Sequence, residues 1–416
     1  MTDTRPTPTP QERLQLRLQG MAYGGEAFGR DAAGRMIFIP FSLPGERVTA
    51  EVTEAHTHWC RARLMEVLEP SADRCTPRCR HYGACGGCHY QHVASTAQPA
   101  IKQAILLAQL ERLGGFHDPA VSPAVPSPSP WNYRNHVQFT QAPDGRLGFQ
   151  ASRSHQPLPI EECFLPELTI GALWPALRID SIPGLERVAL RCAGDEAQII
   201  FHAGDDPDVE LEIDLRASAV WISPSGTHNL AGDSALVFNV RGRPFRVHAG
   251  SFFQVNSGLT PRLLDLVLDG LQLSPGQTVF DLYAGVGLFS AFVAERGAQV
   301  LGVEQSSSAC DDFAFNLDEF DAVSLYRADV GQALPALPAR PDAAIVDPPR
   351  AGLGREVVTA LAAHSPARLV YVSCDPSTLA RDGRMLADAG YRLERVTPID
   401  LFPQTFHIES VAIWSR

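Results

Sequence analysis

Thr278-Val-Phe-Asp-Leu-Tyr-Ala-Gly-Val-Gly-Leu-Phe-Ser290 decides how the C-terminal part of this 416-residue chain folds. An apolar run of strand length enters a turn carrying Gly285 and Gly287, and a helical pattern follows. Glycines there let a ligand approach the backbone closely, although a tight strand-to-helix turn alone would also use them. The next apolar run, Gln299-Val-Leu-Gly-Val-Glu304, ends in a carboxylate 23 residues after Asp281. A doubly wound sheet presents an acceptor to ribose hydroxyls at that place. Later strand-like runs end at Asp329 and Asp347, and from about Gly250 onward apolar runs alternate with helical patterns, as in a parallel α/β sheet.

A nicotinamide site would accept two of these acids. It agrees less well with Pro348-Pro349, which sends the chain out extended beside the strand ends, and with Ser290 standing where the third glycine of G-x-G-x-x-G belongs. S-Adenosylmethionine (SAM) suits all of these features. Beyond them, Leu369-Val-Tyr-Val-Ser-Cys374 delivers a thiol at the end of an apolar run, shortly after Asp347-Pro-Pro-Arg350. A thiol of ordinary pKa, about 8.5, is only a few per cent thiolate at neutral pH, so a nucleophilic Cys374 needs an activating site. The plainer reading is a buried structural thiol.

Toward the N-terminus, residues 14–68 hold five short β-prone runs, among them Arg35-Met-Ile-Phe-Ile39 and Arg47-Val-Thr-Ala-Glu-Val52, punctuated by Gly24-Gly25, Gly34 and Pro44-Gly45. That pattern predicts a small closed barrel of the OB type. A helical run follows over residues 101–113, and Ala120-Val-Ser-Pro-Ala-Val-Pro-Ser-Pro-Ser-Pro130 is proline-rich enough to run extended as a stiff connector.

Four of the nine cysteines crowd into residues 75–88, where Cys79-x5-Cys85-x2-Cys88 places three thiols on one loop with Gly86 and Gly87. In a chain with no apolar stretch of about 18 residues and no signal-peptide pattern, the expected compartment is the cytoplasm, and such a cluster indicates metal rather than disulfides. Spacing alone leaves zinc and an iron–sulfur cluster both open. Cys60, Cys192 and Cys310 have no partner pattern and are expected to be buried thiols. The net charge of −12 excludes a generally basic nucleic-acid coat, but residues 251–416 carry most of it, with 20 acidic against 12 basic side chains. An RNA partner would be held locally, by arginines of the first 170 residues.

Together with Asp347-Pro-Pro-Arg-Ala-Gly352, the sixteen-residue gap to Leu369 and Cys374, the chain resembles the RNA uridine C5-methyltransferase family nearly end to end. Phe252-Phe-Gln-Val-Asn256, Asp281 to Ser290 and Phe402-Pro-Gln-Thr-Phe-His-Ile-Glu409 match family motifs in the family's order. Gly20-Met-Ala-Tyr-Gly-Gly25 through Pro44-Gly45 resembles the TRAM barrel of the branch that acts on 23S rRNA. The resemblance implies a multidomain fold: an OB-like TRAM barrel over 11–70, a central α+β domain with an iron–sulfur cluster over 71–250, and a Rossmann-like class I methyltransferase domain over 251–416. It implies Cys374 as nucleophile and Glu409 as general base. SAM contacts fall to Gln254, Tyr283, Gly285, Glu304, Asp329 and Asp347, and a [4Fe-4S] cluster to Cys79, Cys85, Cys88 and Cys163, with Cys75 as a rival fourth ligand.

The implied reaction is methylation of uridine C5 in RNA, with 23S rRNA favoured and tRNA uridine-54 as the alternative; neither a membrane nor an obligate protein partner is implied. A non-catalytic RNA-binding or assembly factor is the competing class, and a cytosine C5-methyltransferase agrees less well with Glu409. Asp375 departs from the asparagine commoner after the nucleophile, and an ionised, unpaired carboxylate there would raise the thiol pKa.

Overall fold

The computed structural model describes residues 11–142, 144–177, 179, 182–206 and 216–416. Strands Arg13–Met21, Glu26–Arg30, Met36–Pro40, Arg47–Ala55 and Trp59–Glu69 close into a barrel, the first pairing with both the second and the fourth. Alternation along the strands sends Leu16, Leu18, Ile37, Ile39, Val48, Ala50 and Val52 inward. The barrel is not sealed on itself. Tyr90, Val93, Ile105 and Ile408 complete its core, so it is built onto the segment after the cysteine loop and onto the C-terminal segment.

A helix runs over Gln98–Arg112, with proline in its first turn, where residues 101–113 predict one. The central sheet holds, in spatial order, Gly226–Ala231, Ala217–Ser223, Glu196–Ala203, Leu185–Ala193, His136–Gln141, Leu147–Gln150 and Pro157–Pro159. The proline connector is more than a spacer. Ser122 N and Val125 N donate to Val396 O (2.8 Å) and Pro398 O (2.9 Å), laying it along the edge strand Arg392–Ile399. Prolines 123 and 126 lack an N–H, and the two donors, Ser122 and Val125, are the residues just before them, so no pairing position falls on a proline, which is how proline is tolerated at a sheet edge.

The C-terminal sheet orders its strands Val323–Arg327, Gln299–Glu304, Thr278–Leu282, Ala343–Val346, Arg368–Ser373, Glu409–Ser415, Arg392–Ile399. The first five are parallel, and the inner four of them are buried on both faces, which explains their unbroken apolar runs, whereas the edge strand Val323–Arg327 stays half-exposed. One face, with Val279, Ile345 and Val370, packs against helices Thr260–Leu271 and Leu288–Ala294 and the hairpin of Ala235–Val240 and Arg243–His248. The other, with Phe280, Val346 and Tyr371, packs against helices Gly354–His364 and Pro376–Asp388 and also takes Leu106 and Leu110 of the Gln98–Arg112 helix. Among the described residues no helix is long and apolar enough to cross a membrane.

Candidate active site

Strand register brings Cys374 and Glu409 together. Ser373 pairs with Ser410 across antiparallel strands, so the next residue outward on each, Cys374 and Glu409, stand side by side. Asp347 leaves the neighbouring strand at the same end, since Val346 pairs with Tyr371. The Asp347–Gly352 turn is pinned by buried Asp382, whose Oδ2 accepts from Leu353 N (2.7 Å) and from the Tyr371 hydroxyl (2.9 Å). Gly352 is required there: it has φ +78°, and a Cβ would come within 2.3 Å of that oxygen.

This group of acids is held under low dielectric. Burial, then Glu409, pushes the Cys374 thiol up to about 12, and Arg350 is the cation opposing the rise. Glu409 is 6% exposed, and burial followed by Asp347 holds its carboxyl well above the usual carboxylate range. Burial and then Asp281 lift Asp347 to about 7. Asp281 itself, fully buried, rises to about 6 through burial, although Ser290 Oγ donates to its Oδ2 at 2.6 Å. A cation entering such a site, as a sulfonium would, favours the ionised forms of these groups.

The glycine turn forms the other wall. Tyr283, Gly285 and Gly287 all have positive φ (66°, 54° and 87°), and a Cβ on Gly287 would strike Leu317 Cδ1 at 2.3 Å. Glu304 is oriented by three backbone donors: Gly285 N to Oε2 (3.0 Å), Gln305 N (2.8 Å) and Ser306 N (2.7 Å) to Oε1. Gln254, Tyr283, Gly285, Glu304, Asp347, Cys374 and Glu409 line one cavity of about 1430 Å³. Asp329 does not. It is exposed and N-caps the short helix Val330–Ala333, accepting from Gln332 N.

The cysteine loop faces the same cavity, which Cys79, Cys85, Cys88 and Cys163 also line. Gly86 N donates to Gln150 O (2.9 Å), Arg80 N to Glu162 Oε1 (2.9 Å) and Glu161 N to His81 Nε2 (3.1 Å), drawing the loop onto the Cys163 segment. Burial pushes Cys88 up to about 12 and Cys163 to about 11, each raised further by Cys85. Cys75 is exposed, off this wall, and donates to Gln91 O. Four thiols around one hollow, costly to ionise unaided, are a donor set suited to a thiolate-bound cluster. Among the described residues, no three His, Cys, Asp or Glu side chains stand as a ready-made metal site. Cys60, Cys192 and Cys310 are buried, as expected.

Three further residues on the wall were not singled out by sequence reasoning. Phe252 is 66% exposed there, a large apolar surface suited to a base. Arg134 lies beside the rings of Tyr133 and Phe402, and His407 is driven down to about 3 by burial and Arg350, so it is neutral at working pH. The available signal was the aromatic and arginine residues of Trp131–Arg134 and the motifs Phe252–Asn256 and Phe402–Glu409, which contain Phe252 and His407.

The tRNA (Uracil-5-)-methyltransferase family matches residues 340–416, and the TRAM domain matches residues 13–65. A Streptomyces coelicolor protein named as an RNA methyltransferase is 35% identical over 428 residues, spanning 97% of this chain and 92% of its own. The 23S rRNA (uracil(1939)-C(5))-methyltransferase RlmD of Alkalilimnicola ehrlichii is 32% identical, spanning 98% and 97%. The crystal structure of Pyrococcus abyssi tRNA (uracil-54, C5)-methyltransferase with S-adenosyl-L-homocysteine superposes with a TM-score of 0.73 at 24% identity, covering 96% of this chain and all of that one. The closed barrel is therefore a TRAM domain, and the C-terminal sheet has the class I methyltransferase fold.

Proposed function

Because this chain belongs to the RNA uracil-C5-methyltransferase family and depends on SAM, we propose that it makes 5-methyluridine in 23S rRNA through a covalent Cys374 adduct, with Glu409 as base. The observation that carries this reading is the register that sets Cys374 beside Glu409, both on the wall of the one cavity. Uracil C5 is too weakly nucleophilic to take a methyl group directly. The Cys374 thiolate, its proton lost to water, adds to C6, and the C5=C6 electron pair moves into an enolate nucleophilic at C5. SAM supplies the methyl group from its sulfonium. Glu409 then takes the C5 proton, the C5–H pair re-forms C5=C6, and the C6–S bond breaks to return the thiolate. Gln254, Tyr283, Gly285, Glu304 and Asp347 would hold SAM. Asp329, off the cavity wall, would reach it only from the rim.

The target uridine is read as flipped out of a loop or opened stem, since a stacked base hides its C5 and C6. We assign Cys79, Cys85, Cys88 and Cys163 to a [4Fe-4S] cluster with a structural role, in a chain working as three units over 11–70, 71–250 and 251–416. We place the chain in the cytoplasm, where a cysteine-rich loop holds metal rather than disulfides. The 23S rRNA assignment rests on the 32% identical relative that spans 98% of the chain.

The test is to incubate the anaerobically purified enzyme with labelled SAM and total RNA lacking 5-methyluridine, with Cys374→Ala as control. Labelled 5-methyluridine in 23S rRNA, absent with the variant, is expected. Label in tRNA would overturn the substrate, and no label in either RNA would favour a non-catalytic RNA-binding role.

A further inference from the structure

Tyr23 sits in the turn between the first two barrel strands, and its hydroxyl donates to Asp375 Oδ2 at 3.0 Å. The other oxygen, Oδ1, accepts from Ser377 N (2.8 Å) and Thr378 N (3.1 Å), capping helix Pro376–Asp388. One carboxylate adjoining Cys374 is thus shared between its own helix and another domain. Burial keeps the Tyr23 hydroxyl protonated far above neutral pH, so it remains a donor. Its ring meets Phe406 edge-on at 5.6 Å, and the turn is seated so closely that a Cβ on Gly25 would lie 3.2 Å from His89 Cβ.

An unpaired anion at position 375 opposes thiolate formation, and a hydroxyl proton aimed at it offsets that charge. We infer that Tyr23 is a positioning residue: by bonding Asp375 it quiets the carboxylate beside Cys374, so the nucleophile ionises more readily when the RNA-binding barrel is seated on the catalytic domain. The inference rests on Cys374 being the nucleophile. The charged groups facing that thiol are Glu409 from its strand, Asp347 and Arg350 from the preceding turn, and Asp375 from its own turn. Asp375 is bonded by a residue of the barrel. An asparagine at 375 carries no charge to offset, so the hydroxyl should matter far less in that background.

The experiment uses the full chain with SAM and RNA containing 5-fluorouridine. Fluorine at C5 cannot leave as a proton does, so the covalent adduct accumulates and survives a denaturing gel. Its rate of formation is followed against pH for wild type, Tyr23→Phe, Asp375→Asn and the double variant. Tyr23→Phe keeps the ring on Phe406 and should retain melting temperature and KM for RNA, yet form adduct roughly tenfold more slowly at pH 7, with the pH midpoint moved upward. In the Asp375→Asn background the same change should cost less than about twofold.

Equal losses in both backgrounds, or a wild-type rate in Tyr23→Phe, would overturn the inference. If Tyr23→Phe does not fold, Asp375→Asn alone decides. A midpoint within about half a pH unit of wild type is expected, because the bonded carboxylate is already offset, and a midpoint about one unit lower would overturn it. No adduct in wild type would sink the nucleophile assignment and this inference with it, whereas adduct in wild type and undiminished adduct in Tyr23→Phe sinks the inference alone.

Discussion

Gln98 and Gln404, 306 positions apart, clasp each other: Gln98 Nε2 donates to Gln404 Oε1 at 3.1 Å, and Gln404 N donates to Gln98 Oε1 at 2.8 Å. Both are buried, and one turn further along the same helix Lys102 Nζ donates to Asp400 Oδ1 at 2.6 Å and Phe402 O at 2.9 Å. His89 N and Tyr90 N, directly after the cysteine loop, both donate to Gln404 O. The segment leading to Glu409 is therefore positioned by the N-terminal half of the chain.

Lys102 is 1% exposed, and burial drives its pKa down while Asp400 holds it up. Replacing it with methionine strands a buried carboxylate, and Lys102→Met should cost about 3–5 kcal/mol of stability. Urea unfolding measures the loss, and Lys102→Met combined with Asp400→Leu should recover most of it.

Glu409→Gln removes the acceptor for the C5 proton while leaving Cys374 in place. Turnover should fall by roughly 10²–10⁴-fold, the usual contribution of a general base. With ordinary uridine RNA and SAM, a protein–RNA adduct should then persist on a denaturing gel, whereas Cys374→Ala forms none.

Asp281 titrates near 6 in the fold, above the roughly 3.9 of an unfolded chain. A raised carboxyl contributes stability that is full below the unfolded pKa and is lost as pH rises through the folded one. Asp281→Asn should thus gain on wild type as pH climbs from 4 to 7, by about 2–3 kcal/mol, and the gap should level off above that range. Denaturant melts at three pH values read this directly.

Cys79→Ala, Cys85→Ala, Cys88→Ala and Cys163→Ala should each lose iron, acid-labile sulfide and visible absorbance after anaerobic purification. Cys75→Ala should retain them, because Cys75 is exposed and off the cavity wall. Retention by Cys163→Ala with loss by Cys75→Ala would exchange their roles.

The chemistry-bearing residues were legible because they sit where local rules operate. Cys374 ends an apolar strand, Gly285 and Gly287 occupy a turn that demands left-handed backbone, and Cys79, Cys85 and Cys88 share one short loop. The barrel was legible from its period-two runs and glycine turns. Less legible were positions whose role depends on what lies opposite. Asp329 ends a strand-like run as Glu304 does, yet it turns outward to cap a helix, and the proline connector pairs with a strand more than 270 residues later.

By itself, then, the sequence determined the elements, the order of the motifs and the residue types able to do the chemistry, because periodicity, turn geometry and side-chain reactivity are properties of short stretches. The tertiary structure alone decided that Cys374 faces Glu409, that the remote Cys163 joins the three loop thiols in the hollow holding both, and that Tyr23 reaches Asp375. Those contacts are settled by strand register and by the burial of surfaces far apart in the chain, and no local pattern encodes which surfaces meet.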